Sequence, residues 1–376
     1  EPAPAAPLEV KDLKRIKAGK AGLQQLNRTS ITTELDELLK RGRTVDRPVG
    51  PSLGKNAVEI TARERTDKYK GDIQMQYQAA LGEVGHVLNS LAKGSAIDGL
   101  QVIDVVKRFV KVFVTDRNIL LNISGIKHTG DDYFYHHSLN VCLLSINIAA
   151  AYGYSEKQVV EIGMGALLHD LGMLLVPKEI VQKKGRLAQE EWYEIQKHPV
   201  MGLHLLEKIR RLPESVPYVA YQVHERENRT GYPKQRTSRL IHQFAKIVQV
   251  ADVYEAMSSP RSYRSAFIPY ESMERLIKMT RQGLISGEFV KAFLRYASLF
   301  PVGSLVQLND QRIAKVIRAN GDSYAKPIVS ILTTTEGKVL PKPAVKEENL
   351  SSNIELFISR ALSPNHVAEL SIMDGF

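Results

Sequence analysis

Gly165-Ala166-Leu167-Leu168-His169-Asp170-Leu171-Gly172 sets an imidazole and a carboxylate side by side at the end of an apolar run. Upstream, from about Glu156, the residues Val159, Val160, Ile162, Met164, Ala166, Leu167 and Leu168 predict a mostly buried helix that Gly172 and then Pro177 end. A buried carboxylate beside a buried histidine is costly unless a cation sits with them, and a divalent metal is one answer. A satisfied His/Asp pair in a core is the other. Two residues alone do not separate these readings, so the rest of the chain has to.

Working outward, Asp131-Asp132-Tyr133-Phe134-Tyr135-His136-His137 leads into an apolar helix, Val141 to Tyr152. His137 is in phase with Val141 and Leu144 and faces the core, whereas His136 reads as a surface histidine on the first turn. Downstream, His198-Pro199 falls at a junction between two helices, where a side chain can turn inward. His204 lies within an ordinary amphipathic run and reads as structural. A charged burst, His224-Glu225-Arg226-Glu227-Asn228-Arg229-Thr230, closes on Gly231-Tyr232-Pro233, a sequence suited to a fixed loop. Asp252 stands among Ala251, Val253 and Ala256 in a further helix and again asks for a partner.

The core-facing candidates are therefore His137, His169, Asp170, His198, His224 and Asp252, delivered by separate helices. Mixed imidazole and carboxylate donors suit first-row metals. Asp170 has two oxygens and can bridge two ions, and a pair about 3.5–4 Å apart is an arrangement that attacks phosphate esters. The residues alone predict a metal-dependent phosphohydrolase.

With 376 residues and a hydrophobic fraction of 43%, the chain can fill one large or two medium cores. The net charge of +10 carries little nucleic-acid signal, because residues 1–70 hold 15 Lys+Arg against 10 Asp+Glu, half of the excess in a loosely patterned segment. A single cysteine, Cys142, excludes an internal disulfide framework and a cysteine-based zinc site, in keeping with a reducing cytoplasm. No apolar run near 18 residues and no signal peptide is expected, so the expected location is cytoplasmic, with room for an upstream anchor or sensor. The Pro/Ala- and Lys/Arg-rich residues 1–60 read as a largely irregular linker and 61–130 as an N-terminal helical region. Beyond Pro301 the pattern turns to alternation and predicts a small antiparallel β subdomain over 301–345. A tail with a short helix, Ile354 to Leu362, is expected over 346–376.

His137 within His-Ser-Leu-Asn-Val, then His169-Asp170-Leu-Gly, His198-Pro199, His224-Glu225-Arg226 with Gly231-Tyr232-Pro233, and Ala251-Asp252-Val-Tyr-Glu-Ala-Met closely resemble the HD-GYP domain, a branch of the HD phosphohydrolase superfamily. The resemblance covers residues 131–300 in order. It implies a mainly α fold, an HD-type helical bundle with a metal centre, preceded by helices and followed by a small antiparallel β appendage. It also implies a metal-dependent phosphodiesterase that hydrolyses the bacterial second messenger cyclic di-GMP to pGpG or GMP. By position, His137, His169, Asp170 and Asp252 would hold one ion, and Asp170 would bridge to a second held by His198 and His224, with His169 and Asp170 at the catalytic core. Fe or Mn would be the metals. Arg261 and Arg264 occupy the loop where the family grips substrate phosphates, a task suited to arginine's planar fork. Gly231, Tyr232 and Pro233 would form a scaffold and partner-contact loop.

The chain departs from the family pattern in several places. Val223 stands where a histidine precedes His-Glu, Met173 where a lysine follows Asp-x-Gly, Tyr133 where trinuclear members carry Glu, and Asn228-Arg229 where Asp-Gly is usual. These departures argue against a third metal and weaken the second site, where water or a neighbouring carboxylate such as Glu225 could complete the shell. Two alternatives stay open. One is a weak or inactive module that binds cyclic di-GMP or a partner such as a GGDEF-domain protein. The other is an HD hydrolase of another nucleotide. No DNA partner is expected, and the helices of 61–118 could support a homodimer.

Overall fold

The computed structural model describes Lys20 and residues 67–113, 133–259, 266–320, 323–341 and 346–362. The linker expected over 1–60, Lys20 apart, and the expected phosphate-gripping residues Arg261 and Arg264 lie outside the described residues. The chain is mainly α-helical, with a five-stranded antiparallel sheet near its C-terminal end.

The fold is built round helix α3 (Tyr133–Tyr152), whose residues from His136 to Ala150 are all buried. A helix apolar on every side belongs at the centre of a bundle. Helices α1 (Asp67–Ala92) and α2 (Gly99–Phe113) precede it, and α1 packs across it. The quoted stretch forms α4 (Glu156–Leu168), which Ser155 starts: its hydroxyl accepts from the Gln158 amide while the Gln158 side chain accepts from the Ser155 amide. After His169 and Asp170 a 3₁₀ turn, Leu171–Leu175, ends the run before Pro177. The stretch Glu156–Leu175 is long and apolar enough to cross a membrane by length and composition, against the expectation of no such run, but it is 72% buried within this fold.

Short helices α5 (Lys178–Val181) and α6 (Gln189–Ile195) lead to α7 (His198–Leu206) and α8 (Ser215–Gln222). Then α9 (Gln243–Ser258) packs on α3 and α4, followed by α10 (Pro269–Arg281) and α11 (Gly287–Ala297). A two-residue parallel bridge, β1 (Ile97–Asp98) with β2 (Ile209–Arg210), ties the helices before α3 to those after α7.

The sheet runs β6-β5-β4-β3-β7, from β3 (Leu305–Leu308), β4 (Ile313–Arg318), β5 (Ile328–Ile331), β6 (Glu347–Asn349) and β7 (Ile358–Leu362). Val306, Leu308, Ala314, Val316, Val329 and Ile331 form its apolar face. Two expectations are corrected. The segment Ile354 to Leu362, predicted as a short helix, instead ends in β7, with Leu305 opposite Leu362 and Val306 opposite Ala361, and the sheet expected to stop at residue 345 takes in β6 and β7 of the tail. Short segments with mixed polarity take their structure from an available sheet edge rather than from their own periodicity.

Candidate metal centre

Five of the six candidates sit where a helix begins or has just ended or begun. His137 is one turn inside α3, His169 caps the end of α4 and Asp170 follows it. His198 opens α7, where Pro199 sits at a position that needs no amide donor. His224 lies just past α8, while Asp252 projects from the middle of α9. Gly172 explains how His198 reaches Asp170. A Cβ there would collide with the His198 carbonyl oxygen and come within 2.7 Å of the Gly202 amide, so the backbone of α7 can press directly on the turn after Asp170.

The six side chains converge. Asp170 Oδ1 lies 3.2 Å from His198 Nε2, 3.2 Å from His224 Nε2 and 3.3 Å from His169 Nε2, and its Oδ2 lies 3.5 Å from His137 Nε2. Asp252 Oδ1 is 3.4 Å from His137 Nε2, and its Oδ2 is 3.8 Å from His224 Nδ1. His198 Nε2 and His224 Nε2 approach to 2.8 Å. Two metal-capable triads result, His137/His169/Asp170 and Asp170/His198/His224, sharing Asp170. The cluster opens on one side: Asp170, Asp252 and His224 keep 14%, 13% and 12% of their side-chain surface, while His169 keeps none.

Hydrogen bonds on the far side of each ring set which nitrogen faces inward. His169 Nδ1–H donates to the Ala166 carbonyl at 2.7 Å, His198 Nδ1–H to the Ile195 carbonyl at 2.7 Å, and His137 Nδ1–H to Glu255 Oε2 at 2.5 Å. Each Nε2 lone pair is thereby aimed at carboxylate oxygens. His169 Nε2 is buried with no hydrogen-bond partner. Lone pairs facing carboxylates repel unless a cation lies among them, so these residues fit a divalent first-row metal by chemistry as well as by proximity. Without an ion, a proton on His137 takes its place among these carboxylates. Burial works against a charged His137, yet Tyr133, Glu255, Asp170 and Asp252 hold its pKa well above the usual histidine value. Burial would raise Asp170, but His169, His137 and His198 hold it well below the ordinary carboxylate range. Asp252 is likewise lowered, against its burial, by His137, His224 and His169. Burial and the charge of His198 lower His224.

The Gly-Tyr-Pro loop lines this cluster. The Tyr232 ring stacks on His224 at 5.0 Å and 13°, and its amide donates to the His224 carbonyl at 3.1 Å. A Cβ on Gly231 would come within 2.5 Å of the Glu225 carbonyl carbon, so only glycine allows the loop to lie this close. Burial, then the charges of Asp170 and Asp252, push the Tyr232 phenol well up. Pro233 follows Tyr232 through a cis peptide bond.

Two expectations change here. Glu225 does not complete a metal shell: its carboxylate is turned to the loop and accepts from the amides of Lys234 at 2.8 Å and Arg236 at 2.9 Å. His136 is not a surface residue, being buried with its ring stacked on Tyr77 and its Nδ1 3.0 Å from the Tyr77 hydroxyl. Val223 is fully buried among apolar residues, and His204, read as structural, pairs with Glu207 at the end of its own helix at 3.3 Å. Sequence reasoning missed Glu255, Asn140 and Ser259. Glu255 follows Asp252 by three residues and Asn140 follows His137 by three, the helical spacing that puts each on the face of a candidate ligand.

Residues 131–288 match the family described as "HD domain", and residues 305–370 match the "KOW domain associated with HD domain". The cyclic di-GMP phosphodiesterase PA4108 of Pseudomonas aeruginosa is 30% identical over 302 residues, covering 80% of this chain and 70% of that protein. The cyclic di-GMP phosphodiesterase PdeB of Borreliella burgdorferi is 27% identical over 63% of this chain and 62% of its own length. The 3'3'-cGAMP-specific phosphodiesterase 2 of Vibrio cholerae is 28% identical over 43% of this chain and 31% of its own length. Matched across its helical core and followed over most of a relative's length, the chain belongs to the HD domain family of phosphohydrolases, in its HD-GYP branch.

Proposed function

We propose that this chain is a metal-dependent phosphodiesterase that hydrolyses cyclic di-GMP to pGpG, GMP or both, with His137, His169, Asp170 and Asp252 holding one ion and Asp170, His198 and His224 a second. The observation that carries the reading is Asp170, whose two oxygens face four imidazoles, three of them with the Nε2 lone pair turned inward by a hydrogen bond at Nδ1. Bound in such a pocket, a pair of divalent ions supplies neutralisation of phosphate charge and a water of lowered pKa. The protein's part is positioning. Asp170 and Asp252 stay ionised, the backbone carbonyls of Ala166 and Ile195 hold two imidazoles in the metal-binding tautomer, and Tyr232 backs His224 on the open side. Fe and Mn suit this nitrogen and oxygen donor set. Arg261 and Arg264 are proposed to grip the phosphates.

A second reading, a module that binds cyclic di-GMP with little turnover, is favoured by one observation: Val223 is packed in the apolar core and Glu225 is committed to the loop, so among the described residues the second site has His198, His224 and Asp170 alone. A GGDEF-domain partner approaching the Gly-Tyr-Pro side would meet the exposed Asn228, Arg229 and Thr230, since Tyr232 is turned inward. Cys142, a free buried thiol, suits action in the cytoplasm. Homodimerisation through the N-terminal helices is a further part of this proposal.

Anaerobic purification, elemental analysis and incubation with cyclic di-GMP, 3'3'-cyclic AMP-GMP and pppGpp test these readings. Close to two Fe or Mn per chain with release of pGpG or GMP is expected. Metal well below one per chain without turnover overturns the enzyme in favour of the module. Cleavage of only the other two nucleotides refutes the substrate.

A further inference from the structure

We infer that Tyr77, on a helix outside the HD domain match, is a positioning residue for the metal centre, acting on His137 through Asn140 and Glu255. The inference deepens the metal-centre reading and rests on it.

A continuous hydrogen-bonded chain joins α1 to the cluster. The Tyr77 hydroxyl donates to Asn140 Oδ1 at 2.9 Å, and with its proton so committed it accepts from His136 Nδ1–H at 3.0 Å. Asn140 Oδ1 is thus turned toward α1, which leaves the amide NH₂ of the same side chain to donate to Glu255 Oε1 at 3.4 Å. Ser259 donates to that same oxygen at 2.6 Å. The other carboxylate oxygen, Oε2, takes the His137 Nδ1 proton at 2.5 Å. His137 Nε2 then faces Asp170 and Asp252 at 3.5 and 3.4 Å. Tyr77, Asn140, Glu255, Ser259 and His137 are all buried, so water does not compete for these contacts.

Each link constrains the next for a chemical reason. An Asn amide has one acceptor end and one donor end, so a phenol donating to Oδ1 fixes which end meets Glu255. A carboxylate held at Oε1 by two donors presents Oε2 in one place. An imidazole whose Nδ1–H is taken by that oxygen has its lone pair at Nε2 and its ring plane set. Burial and the nearby charge of Glu255 raise the Tyr77 phenol pKa, which keeps the hydroxyl protonated as a donor. Tyr77 is also fixed from behind, since Ala80, Val84, Leu88 and Leu91 seat the same helix in the main core. The family match begins at residue 131, so the donor that starts the chain is supplied by a part of the protein that precedes the HD domain. A displacement of α1 would release Asn140 first and reach the ion through His137, which makes this helix a route by which preceding sequence can set metal occupancy.

The test uses the full metal-free chain titrated with Mn²⁺ and separately with Co²⁺, in wild type, Tyr77→Phe, Glu255→Gln and the double variant, alongside thermal melting without metal. Loss of a partner that orients a ligand weakens metal binding roughly 10- to 100-fold, the expectation for Glu255→Gln. Tyr77→Phe, which removes one oxygen and keeps the ring, should weaken the tighter ion roughly 3- to 10-fold, an attenuated share of that loss. The double variant should bind no more weakly than Glu255→Gln alone, because the tyrosine acts through the glutamate. A Tyr77→Phe chain with unchanged metal affinity, whatever its melting temperature, overturns the inference. So does a double variant whose losses multiply. Wild type that binds neither ion overturns the metal-centre reading itself, a different and separately visible result.

Discussion

Replacing Gly231 by alanine tests whether the Gly-Tyr-Pro loop is held rigidly against the His/Asp cluster. An added Cβ would stand 2.5 Å from the Glu225 carbonyl carbon and in closer collision with the Arg226 amide and the His224 carbonyl oxygen. Carbon atoms sit comfortably at about 3.5–4.0 Å, so the loop must retreat by roughly 1 Å, and all three obstacles are backbone that cannot rotate aside. Overpacking of this kind costs about 1–3 kcal/mol. The Tyr232 amide bond to the His224 carbonyl, 3.1 Å long, would be lost with the movement, adding about 0.5–1.5 kcal/mol. The expected destabilisation is therefore about 2–4 kcal/mol. Withdrawing Tyr232 also removes the ring stacked on His224, so affinity for Mn²⁺ should fall. Urea unfolding without metal reads the first effect and Mn²⁺ titration the second. Gly82→Ala is the control: it lies within α1 with open space around it, and should stabilise by about 0.5–1 kcal/mol. An alanine at 231 that leaves both the unfolding midpoint and the Mn²⁺ affinity unchanged would refute the reasoning, because it would mean that the loop yields freely.

Asp170→Asn should empty both proposed ion sites and bring turnover of cyclic di-GMP to background while helicity by circular dichroism persists; a variant retaining two ions would remove Asp170 from the bridging position. Glu225→Gln keeps one acceptor of the pair that holds the loop and should cost about 1.5–3 kcal/mol, seen as faster hydrogen exchange at the amides of Lys234 and Arg236. Intact protection there with loss of metal would instead make Glu225 a ligand. His242, whose Nδ1 accepts from the Phe244 amide at the start of α9, has its pKa lowered by burial to about 4 from 6.5. The unfolded chain therefore takes up a proton that the folded chain refuses. Stability from this group is fully present above pH 6.5 and is lost as pH falls through 4, up to roughly 3 kcal/mol. His242→Asn keeps an acceptor for the cap and should flatten that acid limb in urea unfolding between pH 7.5 and 5; an unchanged slope would assign it to other groups.

Much of the architecture was legible because long helices announce themselves. The run from Val159 to Leu168 is buried as its composition predicts, and the strands near Leu305, Ile313 and Ile328 fall where alternation places them. The strand at the end of the segment Ile354 to Leu362 is not legible in the sequence because it depends on an edge supplied by β3, information absent from nine residues of local pattern. The burial of His136 is not legible for a similar reason: its partner, Tyr77, is 59 residues earlier and on another helix.

The amino-acid sequence by itself determined which residue types could gather at the centre, since histidine and aspartate on core-facing positions are too costly to bury without a shared purpose. It also read Gly172 as a helix end and Gly231 as part of a fixed loop, whereas the close backbone approaches that require both glycines are visible only in the fold. Tertiary structure alone decided the division of labour among the acids. Asp170 and Asp252 turn into the cluster, Glu255 stands behind His137, and Glu225 is spent on the loop amides. The physical reason is that a carboxylate's role is set by the donors within hydrogen-bonding reach, and those donors come from helices and loops far apart in the chain.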